Sequence, residues 1–152
     1  MKKIRLALLG LLFLASCGNV EQPPTHDDGV QRSYWANGKL KSEQRYVDGK
    51  LDGLYKTWYE NGQVFQDGQY ANGMMDGSWF IFYPDGQLAS KAVYDKGTGK
   101  QTCYDNDGCI IMEVSYVDNL KHGKEIHYAP DGTVLQIVEY EHGEKVSEIQ
   151  NP

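Results

Sequence analysis

The chain has 152 residues, 24% of them charged, with 15 basic against 21 acidic side chains and a formal net charge of −6. Such a length suits one domain. An acidic surface has no electrostatic attraction for nucleic acid or anionic headgroups, which sets aside functions that depend on binding phosphate.

The N-terminus reads MKKIRLALLGLLFLASCGN. Lys2, Lys3 and Arg5 precede an apolar run from Leu6 to Ala15. A membrane-spanning helix needs about 20 apolar residues, so residues 1–16 have the layout of a secretory leader instead. The block Leu14, Ala15, Ser16 and Cys17 resembles the lipobox of bacterial lipoproteins. That resemblance implies that Cys17 becomes the first mature residue and carries acyl chains; two or more give stable anchoring where one is marginal. It implies a place in the bacterial cell envelope. Gly18 after the cysteine, rather than Asp, suits the outer membrane with the domain facing the periplasm. Loss of the leader removes three basic residues and no acid, so the mature chain is more acidic still.

Residues 17–32 follow, with two prolines, several charges and almost no large apolar side chain. That composition cannot bury a core and predicts a flexible tether, with a reach of about 20 Å for a chain of this length.

From residue 33 to 152 one period governs the sequence. Turn glycines preceded by Asn or Asp stand at Gly38, Gly62, Gly86, Gly108 and Gly132, separated by 24, 24, 22 and 24 residues. Four residues before each is an aromatic: Tyr34, Trp58, Phe82, Tyr104 and Tyr128. Eight residues after each is a tyrosine: Tyr46, Tyr70, Tyr94, Tyr116 and Tyr140. A second turn follows each tyrosine. Asn-Gly and Asp-Gly pairs are the strongest short hairpin signal, and the segments between turns are too short for helices and rich in strand-forming residues. The prediction is an all-β domain of about ten short antiparallel strands, stacked as hairpin repeats of roughly 24 residues into an elongated single-sheet meander. No hairpin is stable alone, so the stack must supply the core.

The segment KGTGKQT (96–102) lies where one repeat is two residues short. Gly97 fills the turn column of Gly49 and Gly73, and Gly99 the column of Gly53, Gly77 and Gly123. A phosphate-binding loop needs a glycine five residues before Gly-Lys and Ser or Thr directly after; Tyr94 and Gln101 stand there. The segment reads as a shortened turn, with no nucleotide.

The segments DGLYKTWYENGQV (52–64) and DGSWFIFYPDGQL (76–88) resemble MORN repeats, and more closely the bacterial variant found in small antitoxin-type proteins. The resemblance covers roughly residues 33–146 and weakens at 99–108, where Gln101 replaces the Tyr55/Trp79 column and Asp105 the Tyr59/Tyr83 column. It implies an elongated sheet that serves as an interaction scaffold, and it carries no catalytic residues.

Cys103 and Cys109 flank one turn. Directly opposite, they could form a disulfide; set diagonally by a bulge at Gly108, at about 7–8 Å, they would stay free thiols. His26, His122, His127 and His142 fall in the tether, in turn columns or before an aromatic column, which points to no metal site. The Asp residues follow the turns, where backbone hydrogen bonding explains them. Tyr55 with Trp79, and Tyr59 with Tyr83, form two aromatic columns in the second and third repeats, a candidate binding face. The reading that follows is a lipid-anchored, non-catalytic scaffold without a cofactor, binding an envelope protein. Two alternatives stay open: an immunity-like protein neutralising a toxin in the periplasm, and a glycan- or peptidoglycan-binding module.

Overall fold

The computed structural model describes residues 27–151; the leader, Cys17 and His26 lie outside them. Eleven strands form one sheet: β1 (Gly29–Tyr34), β2 (Leu40–Val47), β3 (Lys50–Trp58), β4 (Val64–Ala71), β5 (Met74–Phe82), β6 (Leu88–Asp95), β7 (Thr98–Tyr104), β8 (Ile110–Val117), β9 (Leu120–Tyr128), β10 (Val134–Glu141) and β11 (Glu144–Gln150). Their order in the sheet is their order in the chain, and every neighbouring pair is antiparallel. The predicted meander is therefore the fold. Two turns per repeat over five repeats separate eleven strands, and β11 is the segment after the last turn. At the other end, β1 takes in residues 29–32, assigned by composition to the tether. Their side chains bury little, Val30 included, but their backbone is held by pairing with β2, from Gly29↔Tyr46 to Arg32↔Glu43.

The turns differ at the two ends of the sheet. After each even strand up to β10, the chain reverses through a pair of residues with positive φ: Asp48 (49°) and Gly49 (71°), Asn72 (51°) and Gly73 (82°), Lys96 (47°) and Gly97 (79°), Asp118 (53°) and Asn119 (65°), His142 (49°) and Gly143 (88°). These left-handed pairs match the twist of the flanking strands, which is why two-residue hairpins select them. At the other end, the Asn or Asp before the glycine folds back on its own backbone in four of the five turns, as in Asn61 Oδ1 accepting the Gln63 N–H at 2.9 Å and Asp85 Oδ1 accepting that of Gln87 at 3.0 Å. In the Gly108 turn Asp105 Oδ1 accepts instead, from the Asp107 and Cys109 N–H groups.

Successive repeats are stitched at both ends. The Gly73 N–H donates to the Leu51 carbonyl at 2.7 Å and the Gly97 N–H to that of Met75 at 2.6 Å. Asp52 accepts the Asn72 N–H at 3.0 Å, and Asp76 accepts that of Lys96 at 3.2 Å.

The short repeat has a structural signature. In β3, β5 and β9, four residues span what two residues span on the preceding strand: Gln44↔Tyr55 is followed by Tyr46↔Leu51, and Val114↔Glu125 by Tyr116↔Lys121. Between β6 and β7 the register runs unbroken, Ala92↔Gln101 and then Tyr94↔Gly99. The two missing residues are the bulge. Gly53, Gly77 and Gly123 have positive φ at their bulges, whereas Gly99 does not; it shares their sequence column but not their conformation. Asn119 spans the gap. Its N–H donates to the Gly97 carbonyl, its Oδ1 accepts the Met75 N–H at 2.9 Å, and its Nδ2 donates to the Gly73 carbonyl at 2.9 Å.

Strand alternation puts the two periodic aromatic columns on opposite faces. The tyrosines eight residues after each glycine share one face with Tyr55 and Trp79. The aromatics four residues before each glycine share the other with Lys56, Phe80 and Thr102. The buried hydrophobic residues Tyr46, Trp79, Ala92, Tyr94, Val114 and Val138 all lie on the first, here called the tyrosine face. No second layer covers it among the described residues.

Candidate binding site

Trp79 is the centre of the tyrosine face. Its cross-strand neighbour on β4 is Gly68, over which the indole lies: a Cβ built there would come within 2.3 Å of Trp79 Cδ2. With no side chain beneath it, the ring settles onto backbone, and its Nε1 donates to the Gln69 carbonyl at 3.0 Å. Tyr55 and Tyr70 wall it in, with ring centroids 5.6 and 5.0 Å from the indole, Tyr70 edge-on. Tyr94 meets Tyr116 edge-to-face at 5.8 Å. Such edge-on pairs contribute about 0.5–1.5 kcal/mol beyond the area they bury. Trp79 is 7% exposed and Tyr94 5%, and burial pushes the Tyr94 phenol well above its ordinary range, with Tyr116 adding to the effect.

These rings enclose a cleft of about 260 Å³ that opens to solvent. Gln66, Ser90 and Gln101 supply its polar lining, and no charged residue borders it. Gln101 is fixed from two sides, its Nε2 donating to Ser90 Oγ at 2.8 Å and its Oε1 accepting from the Tyr116 hydroxyl at 3.2 Å.

Beyond Gln101 its column turns from aromatic to charged. Glu125 continues the column of Tyr55, Trp79 and Gln101, with a side chain 8% exposed. Lys121 ion-pairs with its Oε2, and His127 Nε2 lies 2.8 Å from its Oε1. Burial pushes the Glu125 carboxyl up, but hydrogen bonds from Lys121 and His127 outweigh it and hold the group below the usual carboxylate range. The Lys121 ammonium also sits 4.8 Å from the Tyr140 ring centroid. Spacing alone could have found Glu125, since it stands 24 residues after Gln101 in the same column.

The four aromatics singled out from the sequence fall into two separate places. Tyr55 and Trp79 pack together in the cleft. Tyr59 and Tyr83 stand at the Asn/Asp-Gly end of the sheet, where their hydroxyls donate to carbonyls of the next repeat, Phe82 at 2.8 Å and Tyr104 at 2.6 Å. Trp35 does the same toward the Trp58 carbonyl at 3.0 Å. These three residues form a column of clasps between repeats, which ends where Asp105 takes the place of the aromatic.

Cys103 and Cys109 are free thiols here. The residue opposite Cys103 on β8 is Met112, and a register shift follows at Tyr104, leaving Cys109 in the turn. His122 and His142 come together at the other end, ring centroids 5.2 Å apart, and the His142 N–H points to His122 Nδ1 at 3.4 Å. His122 thereby takes the capping place that Asp52 and Asp76 hold in earlier repeats. Among the described residues no cluster of three or more His, Cys, Asp or Glu could hold a metal ion.

The opposite face is built differently. Cross-strand ion pairs run along it, Arg32–Glu43 and Lys56–Asp67 at 2.6 Å and Lys100–Glu113 at 2.9 Å. Between them apolar side chains stand in solvent: Leu54 is 66% exposed, Val93 68%, and Phe80 between them 39%.

Comparison with protein families places the repeats. A family model described as a MORN repeat variant matches residues 27–48, 51–72, 75–96 and 121–142. The unmatched interval contains β7, β8 and the lost bulge. A search of curated proteins finds no match.

Proposed function

The chain belongs to the MORN repeat variant family, and from that premise we propose that it is a lipid-anchored, non-catalytic scaffold that binds a protein of the bacterial envelope through the face opposite the tyrosines. The observation that carries this reading is the exposure of Leu54, Phe80 and Val93 across β3, β5 and β6 on a sheet face that no second layer covers among the described residues. Phe80 and Val93 are diagonal neighbours on β5 and β6, and Leu54 stands two strands from Phe80 across Asp67 and Gln69. Exposed apolar groups set among charges in this way are what protein partners bury. The tyrosine face is less suited to the same role, because Trp79 and Tyr94 are already packed, and at the end of the sheet Tyr59 and Tyr83 are committed to backbone carbonyls. Anchoring through Cys17 would keep the domain within the tether's reach, about 20 Å, of the membrane.

The test places photo-crosslinking residues at Leu54 and Val93, and separately at Tyr70, in the full chain in cells. A single protein crosslinked from the first two positions and not from Tyr70, and lost in a Leu54→Ser, Val93→Ser variant with unchanged circular dichroism, supports the reading. Crosslinks from Tyr70 alone, or none, overturn it. In the same cells Cys17→Ser should abolish incorporation of labelled fatty acid and release the protein from the membrane fraction.

A further inference from the structure

We propose that the cleft around Trp79 is a second, separate site, which binds one ring of a neutral saccharide. Its chemistry is selective. The chain is 24% charged, yet the cleft is bordered by five aromatic rings, short apolar side chains and the uncharged polar groups of Gln66, Ser90 and Gln101. A charged ligand would be desolvated there with nothing to pair it.

A purely apolar occupant fits less well, because the cleft presents hydrogen-bonding groups without partners. The hydroxyls of Tyr55, Tyr70 and Tyr94 make no hydrogen bond to the described residues. Gln66 accepts weakly from Thr57 at 3.5 Å through its oxygen, leaving its amide nitrogen as a donor. Each phenol both donates and accepts, as does each sugar hydroxyl. The half-exposed rings of Tyr55, Tyr70 and Tyr116 supply the other half of the recognition: the electron-rich face of an aromatic attracts polarised C–H groups, which a pyranose carries on its flat sides. The volume, about 260 Å³, falls below the roughly 300–1,000 Å³ of ordinary small-molecule pockets and limits the occupant to one ring at a time. A glycan chain could continue outward through the open side.

The test uses the full chain in micelles of a sugar-free detergent, with chitotriose and maltotriose as probes. Either trisaccharide should shift the Trp79 indole N–H resonance saturably, without moving those of Trp35 and Trp58. Tyr55→Phe, Tyr70→Phe and Tyr94→Phe keep the packing and remove only the hydroxyls; each should weaken binding about two- to tenfold, the loss of one hydrogen bond. Co-sedimentation with purified peptidoglycan, reduced in the same variants, would identify the cell wall as the source; binding to the soluble probes alone would identify free glycan. The proposal is overturned if neither trisaccharide moves the Trp79 signal. It is equally overturned if the phenylalanine variants bind as tightly as wild type, since the occupant would then be recognised as an apolar group. Neither failure touches crosslinking from Leu54 and Val93, which reports on the opposite face.

Discussion

A methyl group on Gly68 would meet Trp79 at 2.3 Å from Cδ2, 2.6 Å from Cε2 and 2.7 Å from Cε3. Gly68→Ala must therefore lift the indole off the strand and break its bond to the Gln69 carbonyl. Overpacking of this kind costs about 1–3 kcal/mol, and chemical denaturation should show a loss in that range together with a changed near-ultraviolet Trp signal. This glycine left no periodic trace, because it stands outside both turn columns, and without it the burial of Trp79 is not readable either. A tryptophan on an uncovered sheet face looks exposed until the bare backbone beside it is known.

Glu125 is the second residue at which packing decides chemistry. Its pKa is lowered in the folded state, so the stability it provides is present above the unfolded carboxylate range. That stability is lost as pH falls through the depressed folded value. Glu125→Gln should cost about 1.5–2 kcal/mol at pH 7, the lower part of the range for hydrogen bonds to charged groups, because Lys121 is 37% exposed and partly screened. It should also flatten the decline in stability as pH falls below the ordinary glutamate range, about pH 4 to 5. A variant whose acid profile stays parallel to wild type would show that Lys121 and His127 do not stabilise the ionised carboxylate.

Among the elements, β6 and β7 are the exception that explains a neighbour. The missing bulge brings the next turn one step closer, and Asn119 occupies the space above Gly97, whose Cβ would lie 2.7 Å from the Asn119 N and Oδ1. Asn119→Ala would leave the Met75 N–H and the Gly73 carbonyl unpaired in a half-buried place, at about 1–3 kcal/mol. Asn119→Asp should recover part of that loss, keeping the acceptor for Met75 and losing the donor for Gly73. Equal loss in the two variants, measured by urea unfolding, would mean that the contact to Met75 contributes nothing. The deletion of two residues was plain in the spacing, as was the reading of KGTG as a turn. What it deletes was not, since bulges are set by hydrogen-bond register and Gly99 keeps the glycine while abandoning the conformation.

At the scale of the molecule, sequential strand order makes the sheet nearly one-dimensional, so that each strand is supported by its neighbours in the chain. Period, turn residues and strand propensity made this architecture legible almost completely. Which face packs was not legible, because aromatic columns of equal regularity run along both. The packing that results is uneven. The buried cluster of Trp79, Ala92 and Tyr94 lies on β5 and β6, single buried residues stand on β2, β8 and β10 (Tyr46, Val114 and Val138), and every residue of β11 is exposed. Stability in such an array should therefore grade from the middle outward rather than be shared equally. Native-state hydrogen exchange should find the amides of β5 and β6 opening only with global unfolding. Those of β11 should exchange through local fraying, with the His142–Gly143 turn as the boundary, and truncation before Glu144 should leave the protection of β5 and β6 unchanged. If β11 amides exchanged with the same free energy as β6, the sheet would be a single cooperative unit. The clasps from Trp35, Tyr59 and Tyr83, which stop at Asp105, would then not define a more firmly joined first half.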